Sequence, residues 1–389
     1  MMNNKKVLVE FFDGDNLDNC ISLACEKYDE AVYFRFTGGE SPRSGQFLAA
    51  ASAFARKATG REARFIKIDE ATPEAVIRAA KNRLPDDGSE YHFDITGGSE
   101  IYLLAVGVIC GMRLYRNISV RRYDVRRGEA VFSYPKGAGG KAQPMKIPEL
   151  LSLFGAAAGE GSGHPDASEE TVLRYWEALR GVPHVWNRFA MQKQIFRTVG
   201  GRTAVLKRTS DGRDGNLRVY DALRRAGLAG EKVAVTEDGK EYEGFTIDPS
   251  GGALALYAKA GRLLELYAYY TALRAGGFAD CKTGLQINLP SDPRPDLPGN
   301  EIDLVLSAET YPVFVSCKNT AVSNEALYEI KSLSAFYGGK YAKPVILSGL
   351  EQTPGTRARA ESLGIGFVGG AANMTREEFA ARLISAAKE

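Results

Sequence analysis

The stretch NEIDLVLSAETYPVFVSCKN, residues 300–319, contains two runs rich in β-branched residues on either side of a turn region. This pattern predicts a β-hairpin. If the loop spans Ser307–Pro312, Asp303 lies opposite Ser316 on the paired strand. Because side chains alternate between the two faces of a strand, Ser316 and Lys318 then share a face beside Asp303.

An acidic and a cationic side chain placed side by side suit the hydrolysis of a phosphodiester. A carboxylate is needed to hold Mg²⁺ or Mn²⁺, which prefers hard oxygen ligands. The metal stabilises charge on the phosphate and helps to activate a water molecule, and a nearby cation positions that water or neutralises the transition state. Asp303 and Lys318 supply the carboxylate and the cation. Glu265 is a candidate second metal ligand, because a carboxylate among Leu and Tyr residues is costly to bury without a partner, and the backbone carbonyl of Cys317 is another.

The spacing of Asp303 and Lys318 resembles the PD-(D/E)xK nuclease superfamily, in which an acidic residue on one strand is followed by (D/E)xK on the next. The chain departs from that pattern at Ser316, where the superfamily has Asp or Glu. Ser316 could bind the metal through its hydroxyl or through water, or a neighbouring acid could replace the missing carboxylate. The acids available for this are Glu301, Glu325 and Glu329. The alternative is a surface hairpin in which Asp303 and Lys318 form a weak, solvated ion pair.

Further helices and strands are predicted around the hairpin, and they indicate an α/β domain over residues 251–389. An amphipathic helix is predicted over Ala253–Ala275 and a second helix over Asn324–Phe336. Strands are predicted near Cys281–Leu289, Glu301–Leu306, Val313–Lys318, Pro344–Leu347 and Gly366–Val368. A capping box from Thr375 to Glu378 begins the last helix.

Strands alternate with helices in the first 140 residues, which predicts a parallel, doubly wound, Rossmann-like sheet. A hairpin is predicted at its end, over Ile118–Val125 and Ala130–Tyr134. Linker-like sequence follows at residues 136–141 and 155–168. We therefore divide the chain into residues 1–140, 141–250 and 251–389.

The segment DITGGSEIYLLAVG, residues 94–107, combines a strand, a glycine turn and a helix. Backbone N–H groups and hydroxyls at the start of such a helix form a cradle for phosphate or another anion. The first strand ends in a comparable turn, and ligands bind beyond the carboxyl ends of such strands. The alternative is that the glycines only make a tight connection; neither GxGxxG nor GxxxxGK[ST] is present. The residues of these two turns are Asp13, Gly14 and Asn16 after the first strand, and Thr96, Gly97, Gly98 and Ser99 after the later strand.

Residues 172–228 are basic, with 12 Lys or Arg against 4 Asp or Glu, and we predict a largely helical connector. The charge could line a channel for a polynucleotide backbone, and the aromatic residues could offer stacking surfaces. Alternatively, the aromatic residues form the core of the connector and the arginines lie in solvent. A helix-turn-helix is conceivable near Leu217–Gly230. The aromatic residues in question are Tyr175, Trp176, Trp186 and Phe189.

These motifs together resemble the CRISPR-associated Rossmann-fold (CARF) proteins joined to a C-terminal PD-(D/E)xK domain, as in the CRISPR ancillary nucleases of the Can and Card groups. The resemblance implies a Rossmann-like sensor, a helical connector and a restriction-endonuclease-like α/β domain. It implies that a cyclic oligoadenylate, which is made during type III CRISPR antiviral defence, binds at the glycine turn, and cyclic tetra-adenylate is the expected ring. By the resemblance, the ligand contacts are Thr96, Gly97, Gly98 and Ser99, with Asp13, Gly14 and Asn16 across the pocket. It also implies a homodimer that cleaves DNA, RNA or both once the ligand is bound.

The composition fits a globular protein of more than one domain, with a net charge of +2 over 389 residues. Its five cysteines form no CxxC pair and there are only three histidines, which argues against a zinc site. We predict a cytoplasmic protein without a signal peptide or membrane helix. Two other functions stay open at this stage: a regulator that senses the messenger and binds nucleic acid without cleaving it, and a constitutive repair-type nuclease.

Overall fold

The computed structural model describes residues 5–37, 43–137, 139–208, 213–289 and 300–389. Its first sheet has the strand order β3-β2-β1-β4-β5-β6, in which only β6 runs antiparallel to its neighbour. Because β1 lies between β2 and β4, the chain changes direction across the sheet at β1, and the carboxyl ends of β1 and β4 flank this switch point. The elements are β1 (Lys6–Phe11), α1 (Asn16–Cys25), β2 (Glu30–Phe36), α2 (Ser44–Thr59), β3 (Arg64–Ile68), α3 (Pro73–Arg83), β4 (Glu90–Asp94), α4 (Glu100–Gly111), β5 (Asn117–Asp124) and β6 (Glu129–Tyr134).

The middle of the chain contains a four-stranded antiparallel sheet, in the order β10-β11-β9-β8, in addition to the helices expected there. The alternating β-branched residues on both sides of Gly200-Gly201 are a hairpin signal that the basic composition obscured. No helix-turn-helix forms over Leu217–Gly230, where one helix leads directly to a strand. The elements are α5 (Ile147–Leu153), β7 (Ala157–Ala158), α6 (Glu169–Leu179), α7 (Pro183–Met191), β8 (Gln194–Val199), β9 (Arg202–Arg208), α8 (Arg213–Arg225), β10 (Lys232–Glu237) and β11 (Lys240–Ile247).

The third sheet has the order β16-β15-β14-β13-β12-β7, with an antiparallel half and a parallel half that meet at β14. Its edge strand β7 comes from the predicted linker. The predicted helix over Ala253–Ala275 is interrupted, because Lys259 is extended and Gly261 is left-handed with φ 87°. The elements are α9 (Ala253–Ala258), α10 (Arg262–Ala275), β12 (Asp280–Asn288), β13 (Asn300–Ser307), β14 (Pro312–Lys318), α11 (Asn324–Gly338), β15 (Lys343–Ser348), α12 (Pro354–Ser362), β16 (Gly366–Val368) and α13 (Arg376–Lys388).

One hydrophobic core extends through all three parts of the chain. Ile21 from α1, Trp176 from α6 and Leu266 from α10 belong to the same cluster of buried side chains. The capping box of Thr375 and Glu378 forms at the start of α13 as predicted. In the described part of the chain, no helix is both long enough and apolar enough to cross a membrane.

Candidate functional site

The hairpin of β13 and β14 has the register that its sequence predicts. Ser307 pairs with Pro312 and Leu304 with Val315, so the next position along places Asp303 opposite Ser316. The Ser316 hydroxyl donates to Asp303 Oδ2 at 3.4 Å. The predicted position of Asp303 opposite Ser316 is therefore confirmed.

The carboxylate of Asp303 is held in a mostly desolvated position. Burial raises its pKa, although the backbone N–H of Cys317 and the charge of Lys318 act in the opposite direction. Cys317 N–H donates to Asp303 Oδ2 at 2.7 Å, which fixes the rotamer of the carboxylate. An acid in this setting gains from a nearby cation, because a cation offsets the cost of its buried charge.

A small cavity of about 70 Å³ separates the hairpin from α11. Asp303, Ser316 and Lys318 line it from the strands, and Glu329, Ile330 and Leu333 line it from the helix. The structure therefore brings the two strongest sequence candidates to one cavity, together with two of the acids proposed to replace the missing carboxylate, Glu301 and Glu329. Glu301 also forms an ion pair with Lys259. The third replacement candidate, Glu325, is exposed at the start of α11 and does not line the cavity.

Glu265 lies in the first turn of α10 and is only 3% exposed. Burial and, after it, the negative charge of Asp303 raise its pKa to about 7. The carboxylate of Asp303 therefore lies close enough to Glu265 for its charge to act there. Arg262 Nη1 donates to Glu265 Oε2 at 3.1 Å, and Lys259 Nζ lies 3.6 Å from the same oxygen.

Lys259 and Arg262 are site residues that the sequence analysis missed. Arg262 is buried and also pairs with Asp166, its Nε lying 2.9 Å from Asp166 Oδ1. The interruption between α9 and α10 brings Lys259 beside Glu265, in a position that an uninterrupted helix would not give. The signal available in the sequence was Gly261, because glycine is weakly helix-forming and favours left-handed backbone.

The donor set at this cavity suits one hard divalent cation better than a transition metal. Asp303 offers a carboxylate in the lining of the cavity, and Glu265, which is not part of that lining, is close enough to Asp303 for the charge of Asp303 to raise its pKa. The remaining ligands of such a cation would be the carbonyl of Cys317 and water, as Mg²⁺ commonly retains. Residues 5–37, 43–137, 139–208, 213–289 and 300–389 contain no group of three or more His, Cys, Asp or Glu side chains arranged to hold a metal ion. Ser316 lines the cavity at the position where the predicted motif has a carboxylate.

The glycine turn after β4 packs directly against the turn after β1. Asp13 Oδ2 accepts a hydrogen bond from Gly98 N–H at 3.2 Å. A Cβ atom at Gly97 would lie 2.6 Å from Asp13 Oδ2, and Gly98 has a φ of 92°. Both positions therefore require glycine, the first for close approach and the second for its left-handed backbone.

The other predicted ligand contacts occupy different environments. The Thr96 hydroxyl donates to Asp94 Oδ1 at 2.6 Å and accepts from Tyr123 N–H, so it holds the turn in place. The Ser99 hydroxyl is buried at the start of α4, and it has no hydrogen-bond partner within the described residues. Asn16 is fully buried and donates to the carbonyl of Leu153 at 2.6 Å. The structure thus gives Asn16 a role within the core.

Gly14 has open space around it, because no atom lies within 4 Å of a Cβ built there. A ligand could therefore approach the switch point of the first sheet from the side of β1, where it would meet the N–H groups of the glycine turn.

The aromatic residues of the middle segment belong to the core. Tyr175, Trp176, Trp186 and Phe189 are all at most 4% exposed, and Trp176 stacks on Tyr267 of α10 with ring centroids 4.3 Å apart. Of the two interpretations, a stacking surface for nucleic acid and a packed core, the structure supports the packed core. They present no stacking surface to a nucleic acid.

No protein-family model matches the sequence, and no curated protein matches it either. Two solved structures match over almost the whole chain. Protein VC1899 from Vibrio cholerae superimposes with a TM-score of 0.72 at 15% identity, covering 98% of each chain. Can2 from Sulfobacillus thermosulfidooxidans, solved in complex with cyclic tetra-adenylate, has a TM-score of 0.68 at 15% identity and covers 98% of this chain and 97% of its own. The predicted α/β fold class and the resemblance to the Can group are confirmed at the level of the fold.

Proposed function

We propose that this chain is a metal-dependent endonuclease of DNA, RNA or both that a cyclic oligoadenylate activates, with a role in type III CRISPR antiviral defence. The observation that carries the proposal is that Asp303 and Lys318 line one small cavity, with Glu265 close enough for the charge of Asp303 to raise its pKa. A buried carboxylate beside a lysine, with a second carboxylate nearby, suits the binding of a cation and a phosphate together.

The proposed reaction is the attack of water on phosphorus with cleavage of the bond to the leaving oxygen. Asp303, Glu265 and the carbonyl of Cys317 would hold Mg²⁺ or Mn²⁺. The metal, when bound, would supply charge stabilisation on the phosphate oxygens. Lys318 positions the attacking water or donates to a non-bridging oxygen as charge builds up there. The hydroxyl of Ser316, which donates to Asp303, orients that carboxylate. The proton of the attacking water passes to solvent and the leaving oxygen takes one up.

The sensor site of the proposal is the glycine turn at the end of β4. Can2, which has the same fold, was solved with cyclic tetra-adenylate, and a cyclic ligand of this kind carries one phosphate per nucleotide. Backbone N–H groups at Gly97, Gly98 and Ser99 open the 12-residue helix α4, and such groups favour phosphate. Asp13, Gly14 and Thr96 complete the proposed contact surface.

A homodimer is part of this proposal, and the outer face of α4 supports it. Leu104, Val108 and Met112 recur every four residues along this face and are 59%, 37% and 55% exposed. An apolar stripe of this kind is typical of a surface that another protein covers. A two-fold axis beside the glycine turn would allow both copies to contact one symmetric cyclic ligand.

The test is a cleavage assay with the purified protein on labelled single-stranded DNA, single-stranded RNA and supercoiled plasmid. Each substrate is incubated with Mg²⁺ or Mn²⁺, in the presence and absence of cyclic tetra-adenylate and cyclic hexa-adenylate. We expect cleavage that needs the metal and increases with one of the two rings. The control variant Glu361→Gln removes an exposed acid on α12, away from the cavity, and should behave as the wild type.

The outcomes separate the remaining functions. Ser316, which replaces the family's carboxylate, favours one alternative: a regulator that senses the messenger and binds nucleic acid without cleaving it. Binding of the cyclic ligand without any metal-dependent nicking would support that regulator and contradict the nuclease. Cleavage that neither ring changes, with no binding of either ring at micromolar concentration by calorimetry, would indicate a constitutive nuclease.

A further inference from the structure

The C-terminal end of α11 is tied to the N-terminal part of the chain by two buried carboxylates. Asp15 Oδ2 accepts from the backbone N–H of Lys340 at 2.8 Å. The carboxylate of Asp18 forms an ion pair with the Lys340 ammonium and accepts from the Tyr341 hydroxyl at 2.6 Å. Asp15 is 8% exposed and Asp18 is fully buried. The Lys340 side chain is 55% exposed, so these are charge-assisted contacts in which the two acids are buried and the lysine is partly in solvent.

Arg43, just before α2, holds the last turn of α11 from another side. Its guanidinium donates to the carbonyl of Phe336 at 2.9 Å and packs over the Phe336 ring. Carbonyls in the last turn of a helix lack intrahelical partners, so a cation there is favourable. The N-terminal region thus binds the end of α11 through side chains from two different segments.

The same acidic segment touches the glycine turn. Asp13 accepts the N–H of Gly98, and a Cβ built at Gly97 would lie 3.1 Å from Cβ of Asp18. Although burial lowers the pKa of Lys340, the charges of Asp18, Asp13 and Asp15 raise it overall. The pKa of Lys340 therefore depends on the charge of Asp13, which accepts the Gly98 N–H of the glycine turn, as well as on its ion-pair partner Asp18.

The other part of α11 reaches the catalytic cavity, where Glu329, Ile330 and Leu333 form one wall opposite Asp303. The helix Asn324–Gly338 has 15 residues and is therefore about 22 Å long. A hydrogen-bonded helix of this length moves as a rigid body, so a shift at its end displaces the wall of the cavity.

We propose that Asp15, Asp18, Lys340 and Tyr341 are positioning residues that couple the glycine turn to the catalytic cavity through α11. This inference rests on the proposed function and specifies how the ligand would control the nuclease. An anionic ligand at the turn competes with Asp13 for the N–H of Gly98 and changes the charge balance around Lys340. The end of α11 then shifts, and the cavity wall at Glu329 moves with it.

The experiment measures the ratio of cleavage rates with and without cyclic tetra-adenylate, and with cyclic hexa-adenylate in parallel, for the wild type and two variants. Lys340→Met removes the ammonium and keeps the backbone N–H, while Asp18→Asn keeps an acceptor for Tyr341 and removes the charge. We expect the ratio to fall at least about fivefold in both variants, the lower end of typical coupling between sites. Lys340→Arg should restore most of it. Ligand affinity, measured by calorimetry, should change much less than the ratio.

Lys331→Met is the matched control, because Lys331 lies on the same helix and contacts the carbonyl of Leu363 within the C-terminal region. It should keep the full ratio. Hydrogen exchange gives a second readout: the ligand should alter protection over residues 324–338 in the wild type and not in Lys340→Met. If the wild type is stimulated and both variants are stimulated equally, the inference is overturned and the proposed function stands. A wild type that no ring stimulates removes the proposed function itself.

Discussion

The glycine turn of the first sheet and the cavity of the third sheet are built on the same pair of groups. In each, an aspartate accepts a backbone N–H from a neighbouring segment, Asp13 from Gly98 and Asp303 from Cys317, and a lysine lies nearby. The groups around each aspartate determine which kind of ion each place favours. The turn lies at the start of a helix, where N–H groups favour an anion, whereas the negative charges of Asp303 and of nearby Glu265 favour a cation.

Of the variants considered, Asp303→Asn should have the largest effect, and it should act at the cavity and not at the glycine turn. It keeps the acceptor for Cys317 N–H and removes the charge that would hold the metal. We expect the cleavage rate to fall by about 10²-fold or more, with the affinity for the cyclic ligand unchanged. Initial rates in Mn²⁺ and calorimetry with the cyclic ligand measure the two properties. Equal rates for this variant and the wild type would contradict the role of the cavity.

Glu265→Gln should weaken metal binding without abolishing cleavage. The variant removes one of the two carboxylates proposed to hold the metal, so the Mn²⁺ concentration for half-maximal rate should rise about 10- to 100-fold. Saturating metal should restore much of the rate. A titration of rate against Mn²⁺ concentration measures this, with Glu361→Gln as control. An unchanged metal requirement would show that Glu265 only balances Lys259 and Arg262.

Gly97→Ala should change ligand binding at the glycine turn and leave the cavity beside Asp303 unaffected. The added methyl group would lie 2.6 Å from Asp13 Oδ2, so the turn must shift and lose its fit to the ligand. We expect the affinity for the cyclic ligand to fall about tenfold, equivalent to about 1.4 kcal/mol. Cleavage without ligand should keep its wild-type rate. Calorimetry and the basal rate are the measurements, and unaltered affinity would place the ligand elsewhere.

The smallest expected effect is on the pH dependence of stability, through Asp94 beneath the glycine turn. Burial raises its pKa to about 7, although Thr96 donates to it twice. Since the folded state holds this proton more tightly than the unfolded state, the contribution to stability is present at low pH and is lost as pH rises from about 4 to about 7. Asp94→Asn should flatten that loss. Melting temperatures of both proteins from pH 4.5 to 8 test it; parallel curves would contradict the assignment.

Much of the fold was predictable because it follows from local periodicity. The strands around Asp303 and Ser316 showed period-two alternation, and the length of their loop set the register. The alternation of strands and helices before residue 140 predicted the parallel sheet, and the glycine pair marked its strand–helix turn. The middle sheet does not follow from composition, because basic residues occur in helices and strands alike, and the hairpin signal there is confined to Gly200-Gly201 and its flanking residues.

The residues of the candidate site likewise fall into those that the sequence could identify and those that only the structure shows. Asp303 and Lys318 could be found from the sequence because both lie on one hairpin. Lys259 and Arg262 could not, since their positions depend on the interruption before α10 and on how that helix packs against β12 and β13. Burial of the middle aromatic residues, such as Trp176 stacked on Tyr267, likewise depends on contacts between distant segments.

The sequence by itself determined the strands, most of the helices, the glycine turn and the pairing of Asp303 with Ser316, because each depends on residues close together in the chain. The tertiary structure alone decided that the charge of Asp303 raises the pKa of Glu265, and that α11 extends from the cavity beside Asp303 to Asp15 and Asp18. Both results come from long-range packing, which sets the distance and the dielectric between charges that the sequence places far apart.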